Sequence, residues 1–91
     1  MAVTLIRGRV LDPRGDPVAG AAVYVVSAPV ALPDIAMLTN EQGEFDLAFQ
    51  APGLYTIGAR SDEWGAAQAG VEVVGEEAIS LQMRLNKSEG A

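Results

Sequence analysis

The chain has 91 residues, which is the length of one small domain. Hydrophobic residues make up 49% of the chain, which is enough for a packed core. Charged residues make up 20%, which is fewer than a disordered chain usually has. Cysteine and histidine are absent, which excludes disulfides, thiol chemistry and the commonest general base and metal ligand. The net charge of −6 argues against nucleic-acid or anionic-membrane binding.

The N-terminus carries no recognisable targeting signal. The segment MAVTLIRGRVLD lacks the basic stretch followed by a long apolar run that defines a signal peptide. No run in the chain approaches the ~20 apolar residues that a membrane span needs, so no membrane insertion is expected. The sequence leaves the compartment open between the cytoplasm and export as part of a larger assembly.

The first two strands are predicted from the alternation of side chains. Val3 to Leu11 carries Arg7 and Arg9 on one face, which marks that face as the exposed one. The opposite, apolar face of this strand comprises Ile6, Gly8 and Val10. A connection rich in proline and glycine, residues 12–20, leads to a second strand, Ala21 to Ser27. Both faces of the second strand are apolar, so either both are covered or one is a contact surface.

The next segment, Ala28 to Leu38, combines prolines with an unusual number of apolar residues. Its two prolines disfavour regular strand pairing. Its large apolar residues are Val30, Leu32, Ile35, Met37 and Leu38. Two interpretations follow. Either the segment folds down as a lid over Tyr24 and Val26 of the second strand, or it forms an exposed apolar patch that contacts another protein.

A predicted hairpin, Gly43 to Arg60, lies at the centre of the expected core. Its sequence, GEFDLAFQAPGLYTIGAR, reads as strand, turn, strand, with Pro52 and Gly53 supplying the turn. The apolar faces of the two strands comprise Phe45, Leu47 and Phe49, then Tyr55, Ile57 and Ala59. Both phenylalanines of the chain and one of its two tyrosines fall here, which favours this hairpin as the centre of the core.

The C-terminal third predicts two further strands. A polar turn that contains Trp64 precedes the strand Ala66 to Val74, and residues 75–77 form another turn. Residues 79–86 then alternate regularly between apolar and polar side chains. Short strands at this spacing predict an all-β sandwich or small barrel. We expect residues 1–86 to form a single domain and residues 87–91 a flexible polar tail.

Three ordered blocks of the sequence resemble a known family. They are Ile6 to Val25, Thr39 to Leu47 and Ala51 to Arg60. They carry Gly-x-Val, an Asp-to-Gly-x-Pro turn, Gly-Ala-x-Val, Thr-x-x-x-Gly-x-Phe and Pro-Gly-x-Tyr, the pattern of the carboxypeptidase regulatory-like domain. The resemblance implies a transthyretin-like (prealbumin-like), antiparallel Greek-key β-sandwich of seven strands, within a range of six to eight. It implies no particular reaction, because the family serves as an accessory module in many contexts.

No catalytic, cofactor or metal site is predicted. One branch of transthyretin-like proteins hydrolyses a purine-breakdown intermediate with histidines, which this chain lacks, so a hydrolase is only a remote alternative. Adjacent carboxylates such as Glu76 and Glu77 are interpreted as solvated turn charges. Asp12 and Asp16 flank a turn that resembles no EF-hand loop, and aspartates cap turns by binding nearby backbone amides.

The favoured function is a non-enzymatic interaction module within a larger assembly, for example a secreted, cell-surface or injection-machine spike component. Its partner would be another protein or a second copy of the chain. The predicted contact residues are Tyr24, Val26, Val30, Leu32, Ile35, Met37 and Trp64. Trp64 either folds back over the end of the sandwich or stacks on a sugar, and a carbohydrate-binding module is the alternative function. Arg7, Arg9 and Arg84 would share an outer face if the first and last strands pair.

Overall fold

The computed structural model describes residues 3–32, 36–74 and 78–86. These residues form strands and no helix, and therefore no helix long and apolar enough to cross a membrane. The strands are β1 (Thr4–Leu11), β2 (Ala22–Ser27), β3 (Ala36–Leu38), β4 (Glu44–Phe49), β5 (Gly53–Ser61), β6 (Gly65–Val73) and β7 (Ala78–Arg84). The predicted turn at 75–77 and the predicted tail at 87–91 lie outside the described residues.

The strands form two sheets that pack as a sandwich. One sheet has three strands in the order β4-β1-β7, and the other has four in the order β3-β2-β5-β6. This arrangement confirms the all-β, seven-stranded sandwich. Each pair is antiparallel except β1 with β7, which is parallel. Pairing of the first strand with the last was anticipated, but its parallel direction differs from the antiparallel sandwich that was predicted.

The alternation of apolar and polar residues correctly predicts which face of β1 is buried and which is exposed. Ile6 and Val10 are fully buried, whereas Arg7 and Arg9 are exposed. Gly8 also faces inward, and the ring of Phe45 lies against its backbone. The pairing of β1 with both β4 and β7 makes β1 the central strand of its sheet. A central strand with one face buried and one face wet is the pattern that strict alternation predicts.

The predicted hairpin over residues 43–60 is wrong in its pairing and right in its burial. β4 pairs with β1, whereas β5 pairs with β2 and β6, so the connection at 50–52 crosses from one sheet to the other. The inward side chains of both strands are buried, and the Phe49 and Tyr55 rings stack with centroids 4.0 Å apart. The two strands thus face each other across the core. Alternation identifies a buried face but carries no information about the partner strand.

The connection between β4 and β5, which joins the two sheets, is stabilised by short contacts. The Tyr55 hydroxyl donates a hydrogen bond to the Ala51 carbonyl oxygen at 2.7 Å. Gly53 has φ of 139°, and a Cβ there would lie 2.6 Å from Pro29 Cγ, so a side chain at this position meets both strain and a clash. Pro29 and Gly53 therefore mark the end of the sandwich that we call the Val30 end. The opposite end, where β5 stops at Ser61, we call the Trp64 end.

The segment 28–38 does not lie over β2. Its described C-terminal part is β3, which pairs beside β2 with Leu38 opposite Ala22 and Ala36 opposite Tyr24. Its described N-terminal part, residues 28–32, lies at the Val30 end, where Val30 and Leu32 line a groove. The lid interpretation is therefore wrong for the described part of the segment. Ile35 lies outside the described residues.

Candidate functional site

The outward side of the four-stranded sheet is unusually apolar for an exposed surface. Its members alternate with the buried residues of β2, β3, β5 and β6. We call this surface the apolar sheet face, and it comprises Ala22, Tyr24, Val26, Ala36, Leu38, Leu54, Thr56, Gly58, Arg60, Ala66, Gln68, Gly70 and Glu72. Two of these residues are charged, Arg60 and Glu72. A solvent-exposed sheet face normally carries a polar residue at most outward positions.

The centre of the apolar sheet face is shaped by Gly58. A Cβ at Gly58 would lie 2.5 Å from Tyr24 Cε2 and 3.0 Å from Val26 Cγ2. The missing side chain lets the tyrosine ring and the valine pack against the sheet itself, and Gly58 is buried beneath them. Tyr24 is consequently half-buried.

Two leucines flank this centre and remain largely in solvent. Leu38 on β3 is 69% exposed and Leu54 on β5 is 65% exposed. Val26, on β2 between the two leucines, is 45% exposed. Leu38 lies in the row of Ala22 and Arg60, and Leu54 lies in the row of Glu72, about 20 Å away along the strands. Single exposed leucines are ordinary, but exposed apolar residues at both ends and in the middle of one sheet face mark that face as a candidate interaction site.

The outward side of the three-stranded sheet has a different chemistry. Arg7 Nε lies 3.2 Å from Asp46 Oδ1, and Arg9 Nη2 lies 3.2 Å from Glu44 Oε2. Arg84 lies on the same outward side, opposite Leu11 in the β1–β7 register. The pairing of the first and last strands thus places the three arginines on one outer face, as predicted. Two ion pairs between β1 and β4 therefore lie on this surface.

The structure separates the predicted contact residues. Tyr24 and Val26 lie on the apolar sheet face. Val30 and Leu32 lie at the Val30 end, in a groove of about 380 Å³ that Val3, Phe49 and Tyr55 also line. Met37 faces inward beside Val23 and packs against the core, so it does not share a face with Tyr24.

Trp64 lies at the other end of the sandwich. It is half-buried against the core, and the guanidinium carbon of Arg14 lies 5.1 Å from the centroid of its ring. This placement agrees with the interpretation that Trp64 folds back over the end of the sandwich. A cation over the ring face contributes about 0.5–1 kcal/mol at an exposed site and occupies part of the surface on which a sugar would stack.

The aspartate turn beside Arg14 is explained by hydrogen bonds within the turn. Buried Asp12 accepts the backbone N–H groups of Arg14 and Asp16 on Oδ1, both at 2.9 Å, and a bond from Arg14 Nη2 on Oδ2 at 3.1 Å. Burial by itself raises the pKa of Asp12, but the bonds from the Asp16 amide and from the Arg14 side chain and amide outweigh it. The pKa of Asp12 is therefore lowered from its ordinary value. The described residues contain no group of three or more acidic side chains that could hold a metal ion.

Leu54 was not among the predicted contact residues, although the sequence carries a signal for it, whereas Leu38 belongs to the segment that was predicted as a possible contact patch. Tyr55 and Ile57 are buried, so alternation directs Leu54 and Thr56 outward, and a leucine at an outward position is an apolar residue in solvent. Leu38 was noted as part of an apolar segment, but its direction follows from the β2–β3 register, which alternation alone does not supply.

Comparison with known proteins agrees with this architecture. Residues 5–86 match the family described as the carboxypeptidase regulatory-like domain. No curated protein matches the sequence. Among solved structures, 3-chlorocatechol 1,2-dioxygenase from Rhodococcus opacus is similar with a TM-score of 0.71 and 14% identity, over 94% of this chain and 60% of that chain. BcpA, the major pilin subunit of Bacillus cereus, is similar with a TM-score of 0.67 and 15% identity, over 94% of this chain and 30% of that chain.

The length and identity of these matches limit what they show. The chain spans 60% of the dioxygenase chain and 30% of the pilin chain, and at 14% and 15% identity the similarity shows the fold alone. The family match is stronger evidence, because it extends over nearly the whole sequence, from residue 5 to residue 86. The chain belongs to the carboxypeptidase regulatory-like domain family.

Proposed function

We propose that this domain is a non-catalytic module that acts by protein–protein contact through the apolar sheet face, as a structural or accessory part of a larger assembly. Membership of a regulatory-like domain family supports a non-catalytic structural role. The fold it shares with a dioxygenase adds no activity to the proposal, because 14% identity concerns the fold alone.

The observation that carries the proposal is the exposure of Leu38 and Leu54 on one sheet face. They are 69% and 65% exposed, and the described strands beside them contribute mainly small or apolar outward residues. Removing apolar surface from water contributes about 25 cal/mol per Å², so a leucine that becomes fully buried contributes about 1.5–3 kcal/mol. A partner that covers this face gains that energy, and no ion pair of the described residues on the face has to be broken first.

The test replaces both leucines with glutamate, Leu38→Glu together with Leu54→Glu. Both side chains are mostly in solvent, so we expect the fold to survive while association through this face is lost. The matched control is Leu5→Glu together with Gln82→Glu, which adds the same charge to exposed positions on the opposite sheet. Urea unfolding of all three proteins checks that stability is unchanged.

Association is measured by light scattering of the purified chain and by capture from a native extract with the tagged chain as bait. Binding that occurs with the wild type and the control but not with the leucine double variant supports the proposal. Binding that survives in the leucine double variant, or that is lost equally in the control, contradicts it. A wild-type chain that associates with nothing, itself included, also contradicts it.

A further inference from the structure

We propose that the occupant of the apolar sheet face is a second copy of this chain. The two copies are related by a twofold axis that lies in the interface and runs perpendicular to the strands. Arg60 of each copy then lies beside Glu72 of the other. This inference rests on the proposed function, because it uses the same face, and it names the partner and its orientation.

The first step concerns the two charged residues of the face. Arg60 and Glu72 are both exposed, and neither forms an ion pair within the described part of the chain. In the β5–β6 register Arg60 lies opposite Ala66, and Glu72 lies opposite Leu54. Six residues of β5 separate these rows, which at about 3.3 Å per residue is about 20 Å. The two charges are therefore at opposite ends of the face and too far apart to pair within one chain.

The second step is symmetry. Closed twofold dimers use the same patch on both copies, so the face must complement itself. A twofold axis parallel to the strands keeps the two Arg60 residues at the same end of the dimer and the two Glu72 residues at the other end, so no Arg60–Glu72 pair forms. A twofold axis perpendicular to the strands reverses one copy end to end and brings the Arg60 end over the Glu72 end. This orientation forms two equivalent ion pairs, one on each side of the axis.

The third step is shape. When Arg60 lies over the second copy's Leu54, the register of β5 and β6 aligns Ala66 with the second copy's Glu72. The same alignment sets Gly70 opposite Gln68, so small residues meet larger ones along β6. Along β5 it sets Thr56 over Gly58, where the Tyr24 ring fills the space of the missing side chain. The leucine packs on the aliphatic part of the arginine, whose charged group reaches the neighbouring glutamate.

The size of the face limits the strength of the dimer. The strands of the face have three, six, nine and nine residues, which at about 3.3 Å per residue and about 4.8 Å between strands gives a flat area of roughly 430 Å². This area is below the roughly 800 Å² per partner that a typical specific interface buries. Each copy also carries a net charge of −6, which opposes association. We therefore expect a dimer that dissociates on dilution.

The experiment reverses the two charges separately and together. Arg60→Glu leaves each dimer with two glutamate–glutamate contacts, and Glu72→Arg leaves two arginine–arginine contacts. Each single variant should raise the dimer dissociation constant by about tenfold or more, and the double variant should return it to within about threefold of wild type. Arg84→Glu, which makes the same charge change on the opposite sheet, should leave it unchanged. Sedimentation equilibrium from micromolar to millimolar protein measures all four.

Mixing the two single variants gives the sharper result. In a mixed dimer the glutamate introduced in one copy meets the arginine introduced in the other. The second contact joins the two native residues, Glu72 of the Arg60→Glu copy and Arg60 of the Glu72→Arg copy, so both ion pairs are restored. The mixture should dimerise more tightly than either variant alone, which no effect within a single chain can produce. A mixture no tighter than its components, or a double variant that is not restored, overturns the proposal.

Two outcomes separate this inference from the proposed function. A wild-type chain that is monomeric at all concentrations overturns the second copy as partner. The proposed function stands in that case if the Leu38→Glu and Leu54→Glu double variant still loses binding to another protein. A dimer that persists unchanged in the leucine double variant overturns both, because the association then uses another surface.

Discussion

At the scale of single residues, the inner surface of the sandwich depends on a glycine that is required for packing. Gly8 lies in β1 directly opposite Phe45 in β4. A Cβ on Gly8 would lie 2.1 Å from Phe45 Cζ and 2.4 Å from Phe45 Cε1, so the phenylalanine ring occupies the space of a side chain. A glycine inside a strand often marks such a close approach. The Gly-x-Val motif of β1 thus has a physical explanation in the Gly8–Phe45 contact.

We expect Gly8→Ala to destabilise the fold by about 1–3 kcal/mol, because the ring must move out of a well-packed core. Urea unfolding measures the change. Gly70→Ala is the matched control, since the nearest heavy atom to its Cβ is Leu54 Cδ1 at 4.0 Å, and we expect it to be neutral or slightly stabilising. Phe45→Leu should reduce the cost of Gly8→Ala in a double-mutant cycle. A Gly8→Ala protein as stable as wild type would show that the ring relocates freely.

At the scale of elements, a short strand is anchored by one buried side chain. β3 has three residues, so it forms few backbone hydrogen bonds with β2. Thr39, which follows β3, is buried, and its hydroxyl donates a hydrogen bond to the Val18 carbonyl oxygen at 2.6 Å. The Oγ1 atom of Thr39 also accepts the Ala21 N–H at 2.9 Å. Its backbone also bonds with Gly20 and Ala21. Thr39 therefore joins the β1–β2 connection to the end of β3.

We expect Thr39→Val to cost about 1–3 kcal/mol, because an isosteric side chain without a hydroxyl leaves buried backbone groups of Val18 and Ala21 without a partner. Thr39→Ser, which keeps the hydroxyl, should retain most of the stability. Hydrogen exchange at the Ala21 amide gives a local readout, and protection there should fall in the valine variant. Equal stability and equal Ala21 protection in the two variants would rule out this anchoring role.

At the scale of the whole molecule, the first and last strands hold the sandwich together. β7 pairs in parallel with β1, so residues 4–11 and 78–84 meet although they are far apart in the chain. Met83 on β7 and Leu85 just after it are buried in the core. The edge of β6 also meets the end of this region, where Ala66 and Asn86 exchange backbone hydrogen bonds. The C-terminal strand therefore contributes both backbone pairing and core side chains to the sandwich.

We expect a chain that ends at Val74 to remain unfolded, because without β7 one edge of β1 loses its backbone partner and the core loses Met83 and Leu85. A chain that ends at Asn86 keeps β7 and both backbone bonds to Ala66, and we expect its stability to lie within about 0.5 kcal/mol of the full chain. Circular dichroism and urea unfolding compare the two. Loss of folded structure in the chain that ends at Asn86 would contradict the prediction that residues 1–86 form the domain.

The sequence alone determined the local properties of this protein. Alternation placed Ile6 and Val10 inward and Arg7 and Arg9 outward, and the ordered motifs identified the family, because strand formation and side-chain direction depend on neighbours in the chain. The candidate surface was anticipated in part. The sequence identified Tyr24 and Val26 because β2 is apolar on both faces. A strand with one buried face needs apolar residues on that face only.

The tertiary structure decided every property that depends on contacts between distant residues. It separated β4 from β5 into different sheets, turned Met37 inward, and placed Val30 at the end of the sandwich instead of over Tyr24. β3 extends the four-stranded sheet beside β2 and does not cover its outer side. No described residue covers that outer side, so Leu54 on β5 is part of an exposed face. Alternation repeats every two residues within one strand, whereas pairing and coverage are set by which strands meet, and a local pattern carries no information about that choice.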